Sequence, residues 1–375
     1  MAMKRGLWIA VGIVIVVIIL AVLFSTVWKL KQEEVIKIGV TAALTGPNSF
    51  LGQHLKNGLL MAQEEINNAG GVNGKKIQLI IEDTKTNPTE ASSAINKLIY
   101  IDKVNYIIVM FPDNYLAQPI TEKEKKLLIM ASMAPDLAKQ GKYTVQLWFS
   151  QSQEGKAIAK YVVGEGIKRV AILHNNIEAQ QREVDNHIIP ILEENGVEVV
   201  THEKISLGAA DVRTELTKIK ESNPDMLIII VLPNQLEIIF KTIKELNIQV
   251  PIIGNIAFAY AGPLDLMNGS VYVAPTYMID PESRSPQFYE FFNKYKNKYG
   301  SVPVSTSAIG YVQLKVLAEV FEKGEGVETV VSNLKNHTFE TMIGTLRIDG
   351  YGEAYWPISY GIIINGERKL LRETE

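Results

Sequence analysis

Five histidines, at positions 54, 174, 187, 202 and 337, are the most chemically versatile side chains in the sequence. No two of them have metal-ligand spacing joined to acids on one helix face. Cysteine is absent from all 375 residues, which excludes thiolate zinc sites, cysteine nucleophiles and disulfides. There is no G-x-S-x-G nucleophile elbow and no Walker-type phosphate loop. The acidic pairs Glu64-Glu65 and Glu193-Glu194 fall toward the ends of amphipathic helical patterns and read as solvated faces. No catalytic residue, metal site or cofactor is therefore expected, and the chain does not read as an enzyme. His174 stands apart because it ends the apolar run Arg169–Leu173. A strand-end histidine either faces a ligand or bonds to nearby backbone, and the spacing alone leaves both roles open.

The polar chemistry that remains is suited to binding. In open α/β sheets, ligands sit beyond the carboxyl ends of the strands, where loops and helix N-termini converge. Five segments occupy such ends: Thr45–Gly52, Met110–Asn114, Met130–Ala134, His174–Gln180 and Gly254–Ala261. Any loop needs polar and turn residues, so position makes these candidates and no more.

The elements that position them are legible as a βα alternation. Ile36–Val40 is a β-rich run ending in the turn signal Gly46-Pro47. Apolar residues at Leu55, Leu59, Ala62 and Ile66 then follow the 3.6-residue period of one buried helix face. Gly70-Gly71 and Asn73-Gly74 stop that helix, and Ile77–Ile81 is a second strand. Asn87-Pro88-Thr89-Glu90 predicts the next helix start, as N-cap, first-turn proline and capping-box glutamate. Strands are predicted at 106–110, 127–130, 144–149, 169–173, 197–200, 226–231, 251–254 and 271–273. Helices are predicted from 153 and over 184–194, 211–221, 236–246, 286–299, 308–321 and 327–336. Residues 344–349 and 356–364 read as a closing hairpin across Gly350-Tyr351-Gly352. The fold class is α/β, with two Rossmann-like, doubly wound parallel-sheet layers in sequence.

The opening also carries an ordered motif. It runs G-x-x-x-x-L-T-G-P-x-x-x-x-G, then N-G-x-x-x-A-x-x-x-I-N-x-x-G-G-V-N-G-K-K-I, then E-D-x-x-x-x-P, from Gly39 to Pro88. This resembles the leucine/isoleucine/valine-type substrate-binding proteins of ABC importers, which have the type I periplasmic-binding fold. The resemblance implies two lobes joined by a hinge that the chain crosses three times, near Leu147, Pro275 and Met342. Lobe one would comprise residues 34–147 and 276–342, lobe two 148–275 and 343–368, with 369–375 a C-terminal tail.

It also implies a site. In amino-acid-binding members, backbone amides and hydroxyls after strands three and four hold the α-carboxylate, and an acid in the second lobe holds the ammonium. Here Met110, Phe111, Asp113 and Asn114 replace the first loop. Ala131, Ser132 and Met133 stand in the second, and Asn255 stands where the acid would be. Phe50 matches an aromatic position of the first loop, and Ala179 replaces another. With His174, these form the expected ligand-binding set. A buried ammonium without a partner costs several kcal/mol, so a partly apolar or neutral polar ligand is expected ahead of a branched-chain amino acid.

At 375 residues the chain is too long for one ordinary core. Leu7–Trp28 is 22 residues without a charge, about 33 Å of helix at ~1.5 Å per residue against a ~30 Å hydrocarbon core. That run exceeds a secretory signal core, so residues 1–33 are expected to be a cytoplasmic N-region and an uncleaved membrane anchor. Lys4 and Arg5 before it and Lys29 and Lys31 after it give little orientation, and the resemblance places the binding domain outside the cell. Removing the four cations of residues 1–31 leaves 34 basic against 41 acidic residues, a net −7, which disfavours nucleic acid. The expected partners are a small solute, ABC permease subunits and the membrane, with the soluble part monomeric. A sensory module of the same fold, acting through a partner protein, is the alternative.

Overall fold

The structure is a computed structural model that describes residues 34–46, 49–110, 113–133, 137–260, 262–280 and 284–374. The expected anchor, Leu7–Trp28, lies outside the described residues, among which no helix is long and apolar enough to cross a membrane.

The strands are β1 Val35–Ala42, β2 Lys76–Asp83, β3 Tyr106–Met110, β4 Leu127–Ala131, β5 Thr144–Gln146, β6 Arg169–Asn175, β7 Glu198–Ile205, β8 Met226–Ile230, β9 Ile252–Gly254 and β10 Val271–Pro275. They continue as β11 His337–Thr341, β12 Gly344–Ile348, β13 Ala354–Tyr355, β14 Ile358–Ile364 and β15 Glu367–Glu373. The first five form one parallel sheet in the order β2-β1-β3-β4-β5. A second sheet has the order β15-β14-β10-β9-β8-β6-β7, parallel except where β14 and β15 join it. Helices cover both faces, so these strands read as nearly continuous apolar runs rather than alternating ones.

Helices Ser49–Asn68 and Ser305–Glu322 lie side by side on the first sheet. Their approach depends on two glycines. A Cβ on Gly58 would lie 2.0 Å from the Ser307 carbonyl oxygen, and one on Gly310 would lie 2.6 Å from that of Leu55. The N-G of the opening motif is therefore a packing requirement. The E-D of the motif is a loop clamp. Asp83 Oδ1 accepts from the Leu44 (2.8 Å), Thr45 (3.2 Å) and Lys85 (2.9 Å) amides, and Oδ2 from the Thr45 hydroxyl at 2.7 Å. Burial works to raise its pKa, but these bonds prevail and hold it below the usual value. Asn87 caps helix Pro88–Asn96 through Thr89 N–H (2.8 Å) and Glu90 N–H (3.2 Å). Glu90 pairs with Lys85 Nζ at 3.3 Å.

The end of the chain differs from the sequence expectation. Residues 344–349 and 356–364 do not pair with each other. β12 joins β11 and β13 in a separate three-stranded antiparallel sheet, while β14 pairs with β10 and β15. The strand that rejoins the second sheet begins only at Ile358, later than a crossing near Met342 requires. Residues 369–373 are also not a tail, because they belong to β15. The turn at Gly350-Tyr351-Gly352 is a hairpin loop, but it joins β12 to the two-residue β13 rather than to residues 356–364. Gly352 (φ 96°) presses against β5, with its carbonyl accepting the Gln146 amide at 2.8 Å.

Candidate functional site

The carboxyl ends of β3 and β4 are adjacent, since Met110 pairs with Ala131. Met110 is buried in the core, and Phe111 lies outside the described residues. The Asp113 amide bonds back to the Met110 carbonyl at 3.0 Å, and the Asp113 carbonyl receives the first amides of helix Asn114–Lys123. Its carboxyl is buried and pushed up to about 6 by desolvation, with a bond from Thr84 opposing the shift. Asp113 thus faces the end of β2 rather than reaching out as an anchor. Asn114 is fully buried, and neither atom of its side-chain amide has a protein partner. Ser132 is buried with an unpartnered hydroxyl, while its carbonyl accepts Gln146 Nε2 at 2.9 Å. Ala131 and Met133 are half-buried beside it, and the Met133 carbonyl accepts the Gln151 amide at 3.3 Å.

In the second sheet, Asn255 follows β9. It is buried, its Nδ2 donates to the Val231 carbonyl at 3.2 Å, and its Oδ1 is unpartnered. The structure therefore gathers Asn114 and Ser132 at neighbouring strand ends of one sheet, with Asn255 at a strand end of the other.

Two expected residues stand elsewhere. Phe50 is 61 % exposed in the first turn of its helix, with its ring 4.6 Å from that of His54. His54 in turn bonds to Tyr295 Oη at 2.7 Å and Ser307 Oγ at 3.0 Å, so Phe50 caps a helix-packing cluster. His174 is fully buried with Nδ1 2.7 Å from the Asn175 carbonyl and its ring 4.7 Å from His202 on β7. Burial drives its pKa down to about 4, so it is neutral at pH 7. Nδ1 is bonded to backbone, while Nε2 is buried without a protein partner.

The sequence reading missed a buried acid pair. Glu154 in helix Gln151–Gly164 and Glu183 in helix Glu178–Glu183 are both fully buried and in contact. Glu154 accepts the Ile256 amide at 2.5 Å, beside Asn255, and Glu183 accepts Gln151 Nε2 at 2.9 Å. Desolvation pushes Glu154 up to about 8, and burial together with the Glu154 charge pushes Glu183 well above its ordinary value. A carboxyl does stand at the loop after β9, but in its protonated form at pH 7. Its signal was available, since Glu154 lies four residues before the buried Ile158 on the same helical face.

Tyr260 lies in the expected segment Gly254–Ala261, but its partner was not foreseen: its hydroxyl lies 2.6 Å from Ser305 Oγ. Tyr260 follows β9 of the second sheet, and Ser305 begins a helix on the first. This bond bridges the two halves of the molecule.

Two sheets thus present buried, unpartnered polar atoms at their strand ends, and the Tyr260–Ser305 hydroxyl pair bridges them. Among the described residues no group of three or more His, Asp or Glu could hold a metal ion. The chain belongs to the periplasmic binding protein family, whose sequence model matches residues 35–354. This is a solute-binding family, not an enzyme family. The leucine-, isoleucine-, valine-, threonine- and alanine-binding protein of Pseudomonas aeruginosa is 25% identical over 334 residues, 85% of this chain and 87% of the relative. The Leu/Ile/Val-binding protein of Escherichia coli is 30% identical over 203 residues, 52% of this chain and 54% of the relative. The leucine-binding protein of Thermotoga maritima has the same fold, with a TM-score of 0.76 at 24% identity, covering 91% of this chain and 99% of its own. So does a Rhodopseudomonas palustris solute-binding protein solved with 4-hydroxybenzoate, with a TM-score of 0.78 at 18% identity over 91% and 97% of the chains.

Proposed function

We propose that this chain is an extracytoplasmic solute-binding protein that closes two lobes on a small molecule and delivers it to an ABC permease. In this reading Leu7–Trp28 tethers the binding domain to the membrane, and the chain's passages near Leu147, Pro275 and Pro357 act as a hinge. Ligand contacts to both lobes exist only in the closed form, so binding free energy favours closure. The observation that carries the reading is the trio Asn114, Ser132 and Asn255. Each leaves a buried polar atom unpartnered, at a cost of about 1–3 kcal/mol per atom that a bound solute would offset. The protonated Glu154–Glu183 pair supports a partly apolar or neutral polar solute over a zwitterion, because neither acid at the loop after β9 is ionised at pH 7 to hold an ammonium. Relatives named for branched-chain amino acids keep those solutes in the test. A thermal-shift screen of the full chain against amino acids, amides and small organic acids decides it. A binder that is not an α-amino acid is expected. Strong stabilisation by leucine or valine overturns the ligand assignment, and no binder in a broad panel overturns the function.

A further inference from the structure

A cavity of about 230 Å3 opens where the start of helix Ser305–Glu322 and helix Pro286–Tyr299 face Tyr260 and Tyr277. Its walls include the rings of Tyr260, Tyr277, Phe288 and Phe292, and Arg284 is the one charged side chain among its described lining residues. Arg284 is held in a fixed plane. Its Nε donates to the Tyr277 carbonyl at 2.8 Å, and its guanidinium carbon lies 5.3 Å from the centre of the Phe288 ring. Tyr277 is 6 % exposed, and its hydroxyl has no protein partner. Burial and the nearby Tyr260 raise the Tyr277 pKa, with Arg284 opposing, so it stays a neutral phenol and a donor.

The Arg284 guanidinium fork matches the two oxygens of a carboxylate, and Tyr277, which lines the same cavity, carries an unpartnered phenol. Stacked aromatic walls suit a flat apolar body. The volume lies below the roughly 300–1,000 Å3 of drug-sized pockets, which limits the occupant to about one ring. Among the described residues no carboxylate lines the cavity to hold an ammonium. We propose that this cavity is a subsite for a small aromatic monocarboxylate, its carboxylate on Arg284 and the Tyr277 hydroxyl, its ring between Tyr260, Phe288 and Phe292. Tyr260 comes from the second-sheet half and Phe288 from the first, so the occupant bridges the halves. The proposal rests on the solute-binding reading above and names its ligand class.

The test is calorimetry on the full chain at pH 7 with benzoate, benzamide and the amino-acid panel. Benzoate binds saturably at one site, and benzamide binds at least tenfold more weakly. Arg284→Gln weakens benzoate at least tenfold, Arg284→Lys falls between, and Tyr277→Phe weakens it several-fold. The wild-type comparison of benzoate with benzamide holds even if a variant misfolds. Benzamide binding as tightly as benzoate, or benzoate affinity indifferent to both Arg284 changes, overturns the subsite. Failure of benzoate while another solute binds overturns it too and leaves the solute-binding reading standing; failure of every solute defeats both.

Discussion

At the scale of single residues, the buried acids set a pH dependence whose sign is fixed. Glu154 titrates at about 8 when folded, against an ordinary 4.5. Between those values the unfolded chain has released the proton that the folded chain keeps, so stability falls as pH rises from about 4.5 to about 8. Glu183, raised in the same direction by burial and by the Glu154 charge, adds to that slope. Glu183→Gln keeps a bonding partner for Glu154 and removes one of the two buried acids. Urea midpoints at pH 5 and pH 8 are expected to differ less in the variant than in the parent, and an unchanged difference contradicts the pair's role. Asn114 gives a second contrast. Asn114→Leu replaces an unpartnered buried amide with an apolar group of similar size, so the melting temperature should hold or rise. Solute affinity, measured by calorimetry, should fall at least tenfold.

Between elements, the tightest constraint is the crossing of helices Ser49–Asn68 and Ser305–Glu322. Gly58→Ala forces backbone apart at a 2.0 Å approach and is expected to cost about 1–3 kcal/mol in chemical denaturation. A cost near zero would mean that the helices separate freely. Much of this scale was legible. The start of helix Pro88–Asn96 followed from its cap and proline, and β3 from its unbroken apolar run, because local rules decide both. The hairpin turn at Gly350-Tyr351-Gly352 was legible, but its second strand was not, since β12 folds back on the two-residue β13 while Gly352 also packs against β5. Nor was the role of Glu154. One acid on an apolar helical face is a weak signal until the chain brings Ile256 and Glu183 to it. Strand-end position nominated Asn114, Ser132, Asn255 and His174 alike, and it could not foresee that His174 Nδ1 bonds to the Asn175 carbonyl.

Across the whole molecule, Glu353 ties the passages together. It is 2 % exposed, accepts Ser150 Oγ at 2.6 Å and also Ser152 Oγ, and pairs with Lys139 Nζ at 3.2 Å. Three segments distant in sequence thus meet at one carboxylate. Hydrogen bonds to a charged group contribute about 1.5–3 kcal/mol, so Glu353→Ala should lower stability by that order and shift the balance between open and closed forms. Glu353→Gln should retain part of both. The central claim is that a small solute closes two hinged halves. Small-angle scattering of the full chain with and without a calorimetrically confirmed solute tests it most directly. A smaller radius of gyration on saturation is the predicted result; saturable binding with an unchanged radius would contradict it.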